Sequence, residues 1–139
     1  MQALLLPQAC AAELAALAQA AYPLEACALL VGVDAAVTRI VPAPNVAEQP
    51  ERSFEIDPGT QIRLRRALRE TGGQEYLLGH WHSHPDGWAE PSATDAAMIH
   101  EPALIWLISA VTTAGASAPA AFLPQADGKS FSPLALHID

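Results

Sequence analysis

Cysteine, positive charge and long apolar runs are all scarce in this chain, and each shortage removes a class of function. The two cysteines, Cys10 and Cys27, are too few for a disulfide framework and have no Cys-x-x-Cys spacing. They are expected as small buried hydrophobes, not as ligands or nucleophiles. Seven basic residues against fifteen acidic ones give a formal charge of −8, which repels phosphate backbones and argues against nucleic acid as a partner. Most of the positive charge sits in Arg52 and in four arginines between Arg63 and Arg69, a run that reads as a solvated helix face. Pro, Gly or charge interrupts every apolar stretch before the roughly 18–20 residues of a membrane span, so no membrane segment is expected. Met1 to Pro7 has no basic n-region, and the alanine run behind it carries Glu13 at helical spacing. A signal peptide is not expected, and a cytoplasmic location is the default.

What remains is 139 residues, 51% of them hydrophobic, enough for one domain over 1–139 with a core of its own. Pro7 to Ala21 predicts an alanine-rich helix with Leu14 and Leu17 on one stripe. Leu24 to Val33 predicts a strand covered on both faces, with Glu25 as its one charge, and Val37 to Val41 a hairpin partner. A short strand is expected at Ser53 to Ile56, beyond the breaks at Pro42, Pro44 and Pro50. Asp57-Pro58 should cap and start a helix that Ile62, Leu64 and Leu68 anchor and Thr71-Gly72-Gly73 stops. Strands follow at Ala103 to Val111, Ala120 to Leu123 and Leu134 to Ile138, with His137 pointing to water. This order favours an α/β fold, a central mixed β-sheet flanked by helices.

The span from Leu78 to Asp95 holds three histidines, two serines and two aspartates. An apolar run through Leu77, Leu78 and Trp81 makes it a buried strand ending at Pro85. Strand side chains alternate, so His82 and His84 share a face while Trp81 and Ser83 share the other. Two imidazoles about 6–7 Å apart at their backbone origins can converge on one zinc ion. His80 also lies on that face, but about 13 Å from His84 along the strand, and reads as a neighbour of the site. Ser92 and Asp95, three apart at the start of a helix reaching toward His100, can face one point, which makes Asp95 the candidate third ligand; three protein ligands would leave a fourth position for water. The same Ser-x-x-Asp also reads as a helix capping box, the histidine pair as a polar strand patch, and Glu25 as an exposed strand start. His100 suits the helix end, where a cation meets the dipole.

His82-Ser83-His84-Pro85, with seven residues from His84 to Ser92 and then Asp95, resembles the JAMM (MPN-plus) metalloprotease motif. Upstream, Pro23-Leu24-Glu25-Ala26-Cys27-Ala28-Leu29-Leu30-Val31-Gly32 is similar to the family's Pro-x-Glu-x-Cys-Gly-Leu-Leu-x-Gly, with Ala28 in place of the usual glycine. The resemblance implies the JAMM/MPN fold, similar in layering to cytidine deaminases, although the deaminase His-x-Glu and Pro-Cys-x-x-Cys signature is absent, as is His-Glu-x-x-His. It implies zinc held by His82, His84 and Asp95, Glu25 as general base and then acid, and Ser92 as a donor to the oxyanion. The implied reaction is hydrolysis of a peptide or isopeptide bond at the C-terminal tail of a ubiquitin-like or sulfur-carrier protein, bound by strand addition. Asn45 to Phe54 lies where deubiquitinating relatives carry an insertion and is brief here, which favours a compact prokaryotic type with Trp88 and Glu90 framing the groove. A zinc hydrolase of a small amide and a non-catalytic scaffold are the alternatives.

Overall fold

The computed structural model describes residues 2–139. In chain order its elements are strand β1 (Ala3–Leu6), helix α1 (Gln8–Ala21), strands β2 (Cys27–Val33) and β3 (Ala36–Ala43), helix α2 (Pro58–Thr71), strand β4 (Tyr76–His84), the single-turn helix α3 (Ala93–Ala96), and strands β5 (Ile105–Thr112), β6 (Gly115–Ala116), β7 (Ala120–Pro124) and β8 (Phe131–Ile138). They form one mixed sheet in the order β4-β2-β3-β1-β8-β7-β5-β6. Strand β5 also pairs with β4, so the expected central sheet curls round and closes on itself.

Period-two alternation explains why β2 is apolar throughout. Ala28 and Leu30 join a core with Cys10, Leu14 and Ala18 of α1, while Cys27, Leu29 and Val31 join a second core with Phe54, Ile56, Leu64 and Trp106. Helix α1 offers residues four apart, Cys10, Leu14 and Ala18, as a stripe that lies on the sheet. Helix α2 begins where Asp57 Oδ2 accepts a hydrogen bond from Thr60 N at 3.0 Å and ends at Gly72, whose φ of 64° is left-handed. Leu64 is buried and Leu68 packs on the second core, but Ile62 is 58% exposed and anchors nothing. Two helical positions from Leu64 is about 200° of rotation, which turns Ile62 away from the sheet.

Other boundaries differ from the sequence reading for physical reasons. Strand β1 pairs in parallel with β8 over four register positions, a partner at the far end of the chain. Pro42 lies inside β3 instead of ending it. Strand β3 meets β1 only at Leu5 opposite Ala36, so its outer edge is free and the missing N–H disrupts no ladder there. Of Ser53 to Ile56 only Ile56 makes a bridge, to Asn45. Helix α3 stops at Ala96, Met98 and Ile99 turn in to pack on the second core, and His100 sits exposed in irregular backbone, not at a helix end. His137 is exposed and both cysteines are buried and free, as expected. Among the described residues no helix is long and apolar enough to cross a membrane.

Candidate metal centre

Strand β4 runs between β2 and β5, antiparallel to the first and parallel to the second. Its alternation puts His82 and His84 on one face. On the other, Trp81 Nε1 donates to Ser109 Oγ at 2.9 Å and Ser83 Oγ accepts from Ala26 N at 2.9 Å. The Ser83 bond clamps the residue next to Glu25. Cys27 is opposite His82 in the β2–β4 register, and extending that register two residues sets Glu25 opposite His84. Glu25 therefore precedes β2 and is not part of it, contrary to the expected strand from Leu24. Its N–H donates to Pro50 O at 2.8 Å and its carbonyl accepts from Asn45 Nδ2 at 2.9 Å. The side chain is 5% exposed, which excludes the alternative of an exposed strand start.

Ser92 and Asp95 do form a capping box. Ser92 Oγ accepts from Asp95 N at 3.0 Å, and Asp95 Oδ2 accepts from Ser92 N at 2.9 Å. The box also aims the aspartate: Asp95 is buried, with Oδ1 3.2 Å from His82 Nε2 and Oδ2 3.0 Å from His84 Nε2. Ser92 is exposed, and since its oxygen only accepts within the box, its hydroxyl proton stays free to donate elsewhere.

The two Nε2 atoms are 2.9 Å apart, and Glu25 Oε1 is 4.0 Å from that of His82. Ligand atoms of Glu25, His82 and His84 all lie within 4.8 Å of one another. Trp88 O is 2.8 Å from His84 Nδ1 and can only accept, so Nδ1 carries the proton. In the neutral ring, His84 Nε2 is then a lone pair facing a carboxylate and a second imidazole nitrogen. Such a concentration of lone pairs in a buried space is stabilised only by a cation, whether protons or a metal. Two imidazoles and carboxylates, with a carbonyl fixing one ring from behind, fit a divalent metal ion. Glu25 Oε1 and His82 Nδ1 are buried without a hydrogen-bond partner.

Electrostatics follow from this crowding. Burial raises the Glu25 carboxyl to about 8, with the nearby His84 charge pulling the other way. Burial would also raise Asp95, but its hydrogen bonds to His82 and His84 outweigh that and hold it well below the usual carboxylate range. Burial lowers His82. For His84 burial acts downward too, yet the bond to Asp95 and its charge prevail and the ring is raised. Cys27 is pushed up to about 12 by burial, so its thiol is inert.

Glu25, His82, His84 and Asp95 thus come together, and Ser92 stands beside them. His80 does not join: its ring packs edge-on to Trp106 at 4.5 Å, and burial lowers it to about 3. Trp88 is 67% exposed on the loop after β4 and contributes its carbonyl to His84, while Glu90 lines a separate shallow groove with Phe122 and Phe131. The sequence reading missed Phe54, which stacks on His82 with ring centroids 4.1 Å apart, and the Ser83 clamp. An aromatic just after a polar loop carries no local signal of a histidine partner far along the chain.

A family model described as prokaryotic homologs of the JAB domain matches residues 7–122. Over 88 residues the chain is 35% identical to the Desampylase of Haloferax volcanii, a match covering 62% of each protein. Over 83 residues it is 31% identical to the CysO-cysteine peptidase of Mycobacterium tuberculosis, covering 58% of this chain and 55% of that one. The matched stretch thus spans less than two thirds of the length of these curated relatives. A solution structure of a Desulfitobacterium hafniense protein superposes with a TM-score of 0.83 at 30% identity, covering 98% of this chain and 92% of the other.

Proposed function

The chain belongs to the family of prokaryotic JAB-domain proteins, and from that premise we propose that it is a zinc-dependent peptidase that hydrolyses the amide bond at the C-terminal tail of a ubiquitin-like or sulfur-carrier protein. One observation carries this reading: four buried side chains from three separate segments, Glu25, His82, His84 and Asp95, converge at contacts of 2.9 to 4.0 Å. His82, His84 and Asp95 are the proposed zinc ligands, since Asp95 touches both rings at 3.0 to 3.2 Å while Glu25 stands farther off, 4.0 Å from His82 and within 4.8 Å of His84. When bound there, zinc supplies a Lewis acid and lowers the pKa of its water toward about 7. Glu25 keeps Oε1 free of hydrogen bonds and serves as the base that takes the proton of the attacking water and returns it to the leaving amine. Ser92, its hydroxyl proton uncommitted, donates to the substrate carbonyl oxygen as charge builds on it. The two named relatives, a Desampylase and a CysO-cysteine peptidase, support a protein tail as the substrate.

The raised carboxyl gives this reading a pH signature. At pH 7 the metal-free protein holds a proton on Glu25, raised to about 8, and His84 beside it is raised as well. A cation among these groups favours the ionised carboxylate and the neutral ring, so zinc binding releases protons and apparent affinity rises as pH climbs toward about 8. Calorimetry at pH 7 in two buffers of different ionisation enthalpy measures the number released. A heat independent of buffer would contradict the protonated resting state.

The activity itself is tested with a ubiquitin-fold protein carrying one extra residue after its Gly-Gly end, followed by mass. Zinc-loaded protein should remove the added residue, and a chelator should stop it. Ser92→Ala should lower kcat by about 10²–10³-fold with little change in KM, and cost about 0.5–2 kcal/mol of stability through the lost cap. No cleavage across a broad panel of such tails would reject the protein-tail substrate.

A further inference from the structure

Helix α2 carries Ile62, Arg65, Arg66 and Arg69 at the i, i+3, i+4 and i+7 positions, a spacing that places all four on one stripe. The stripe faces away from the buried side that Thr60 and Leu64 define. Ile62 is 58% exposed, and Arg66 and Arg69 are exposed and make no ion pair among the described residues. Arg65 is pinned to Glu101 at 2.7 Å. Arg69 also borders a groove with Tyr76, a second exposed apolar side chain at 46%. Three of the seven basic residues of a chain with net charge −8 thus flank two exposed apolar side chains on one patch.

Neighbours of the patch border a cavity on the aromatic side of the metal centre. Gln61, beside Ile62, and Glu101, the partner of Arg65, line a cavity of about 290 Å³ whose inner wall includes His80, Trp106 and Phe54. Phe54 is the ring stacked on His82. We infer that the α2 stripe docks the acidic globular body of the protein substrate, near the cavity lined by Phe54 and His80. Planar guanidinium groups match carboxylates bidentately, and Ile62 and Tyr76 supply the apolar anchors that an arginine rim surrounds in protein interfaces. A long polyanion would meet the repulsion of the remaining surface, whereas a compact acidic patch of matching size would not. The inference rests on the proposed peptidase reading, because it takes the substrate to have a body as well as a tail.

Binding and turnover separate the two. The probe is an acidic ubiquitin-fold protein ending in Gly-Gly plus one residue. It is compared with a hexapeptide of the same tail and with the same protein after its surface carboxylates are changed to amides. The Arg66→Glu/Arg69→Glu variant, changed at two exposed positions, should raise KM for the acidic protein at least tenfold, leave its kcat unchanged and leave hexapeptide turnover unchanged. Wild-type KM for the acidic protein should rise with salt, and the amide-bearing protein should behave as the variant does. Equal KM for variant and wild type, or an equal loss on the hexapeptide, would overturn the docking surface. Affinity of the acidic protein for the Glu25→Gln chain, with and without the two arginine changes, is read independently of cleavage. If nothing is cleaved yet the arginine changes still abolish that binding, the peptidase reading fails and the surface stands. Unchanged binding removes the surface.

Discussion

Replacing Glu25 with Gln is expected to lower kcat by about 10²–10⁴ while the protein keeps both its metal and its fold. The amide is nearly isosteric with the carboxyl, and the contacts that hold residue 25 in place are made by its backbone, through Pro50 and Asn45. What Gln cannot do is accept and return a proton. Its effect on the metal-free protein has a definite sign. The folded Glu25 carboxyl, raised by burial to about 8 from an ordinary value of 4.5, binds more protons in the native state than in the unfolded one between those limits. Stability of the metal-free protein therefore falls as pH rises through that window, and Glu25→Gln should flatten that part of the curve. Melting temperature against pH, with metal content by mass spectrometry and kcat on the loaded protein, gives all three readouts. An unchanged rate would reject the base assignment. Loss of metal with loss of rate would instead make Glu25 a ligand, a role its position within 4.8 Å of both histidines makes worth excluding.

Local pattern and long-range register contributed differently to what could be read in advance. The pairing of His82 and His84 on one face needs only the two-residue period of a strand, and that period survives burial at β4. Ser92 and Asp95 presented a choice between a cap and a site; the structure forms the cap, and the same cap bonds orient the carboxylate that touches the two rings. Glu25 was legible only through family resemblance. Nothing within ten residues of it says where a carboxylate at the edge of an apolar run will point; the antiparallel register with β4 and the Ser83 to Ala26 bond, 57 residues apart in sequence, decide that. The same limit applies to β1, whose hydrogen-bond partner is the last strand, and to the closure of β4 onto β5. Ile62 failed for the opposite reason. Apolar character was taken as burial, where its angle to Leu64 already turned it outward.

The second large effect is on the metal itself. Zinc-loaded wild type should carry about one ion per chain, and His84→Ala should retain none after dialysis, with turnover lost. Two contacts end together in that variant. The lone pair facing Asp95 Oδ2 disappears, and the Trp88 carbonyl that fixes the ring from behind has nothing left to hold. Outer contacts to a metal-binding histidine alone account for about 10–100-fold in affinity, so loss of the ligand should exceed 100-fold. His80→Ala is the control, because that ring sits on the same strand face and packs in the same aromatic cluster but turns its open side to the cavity beside α2. Its metal content should stay near one per chain even if the core loosens. Competition with a chromophoric chelator ranks the two variants without any assay of catalysis. Equal affinities would mean that the crowding of nitrogen and oxygen atoms around His84 is relieved by protons and not by a metal ion, and the peptidase reading would fail before its chemistry began.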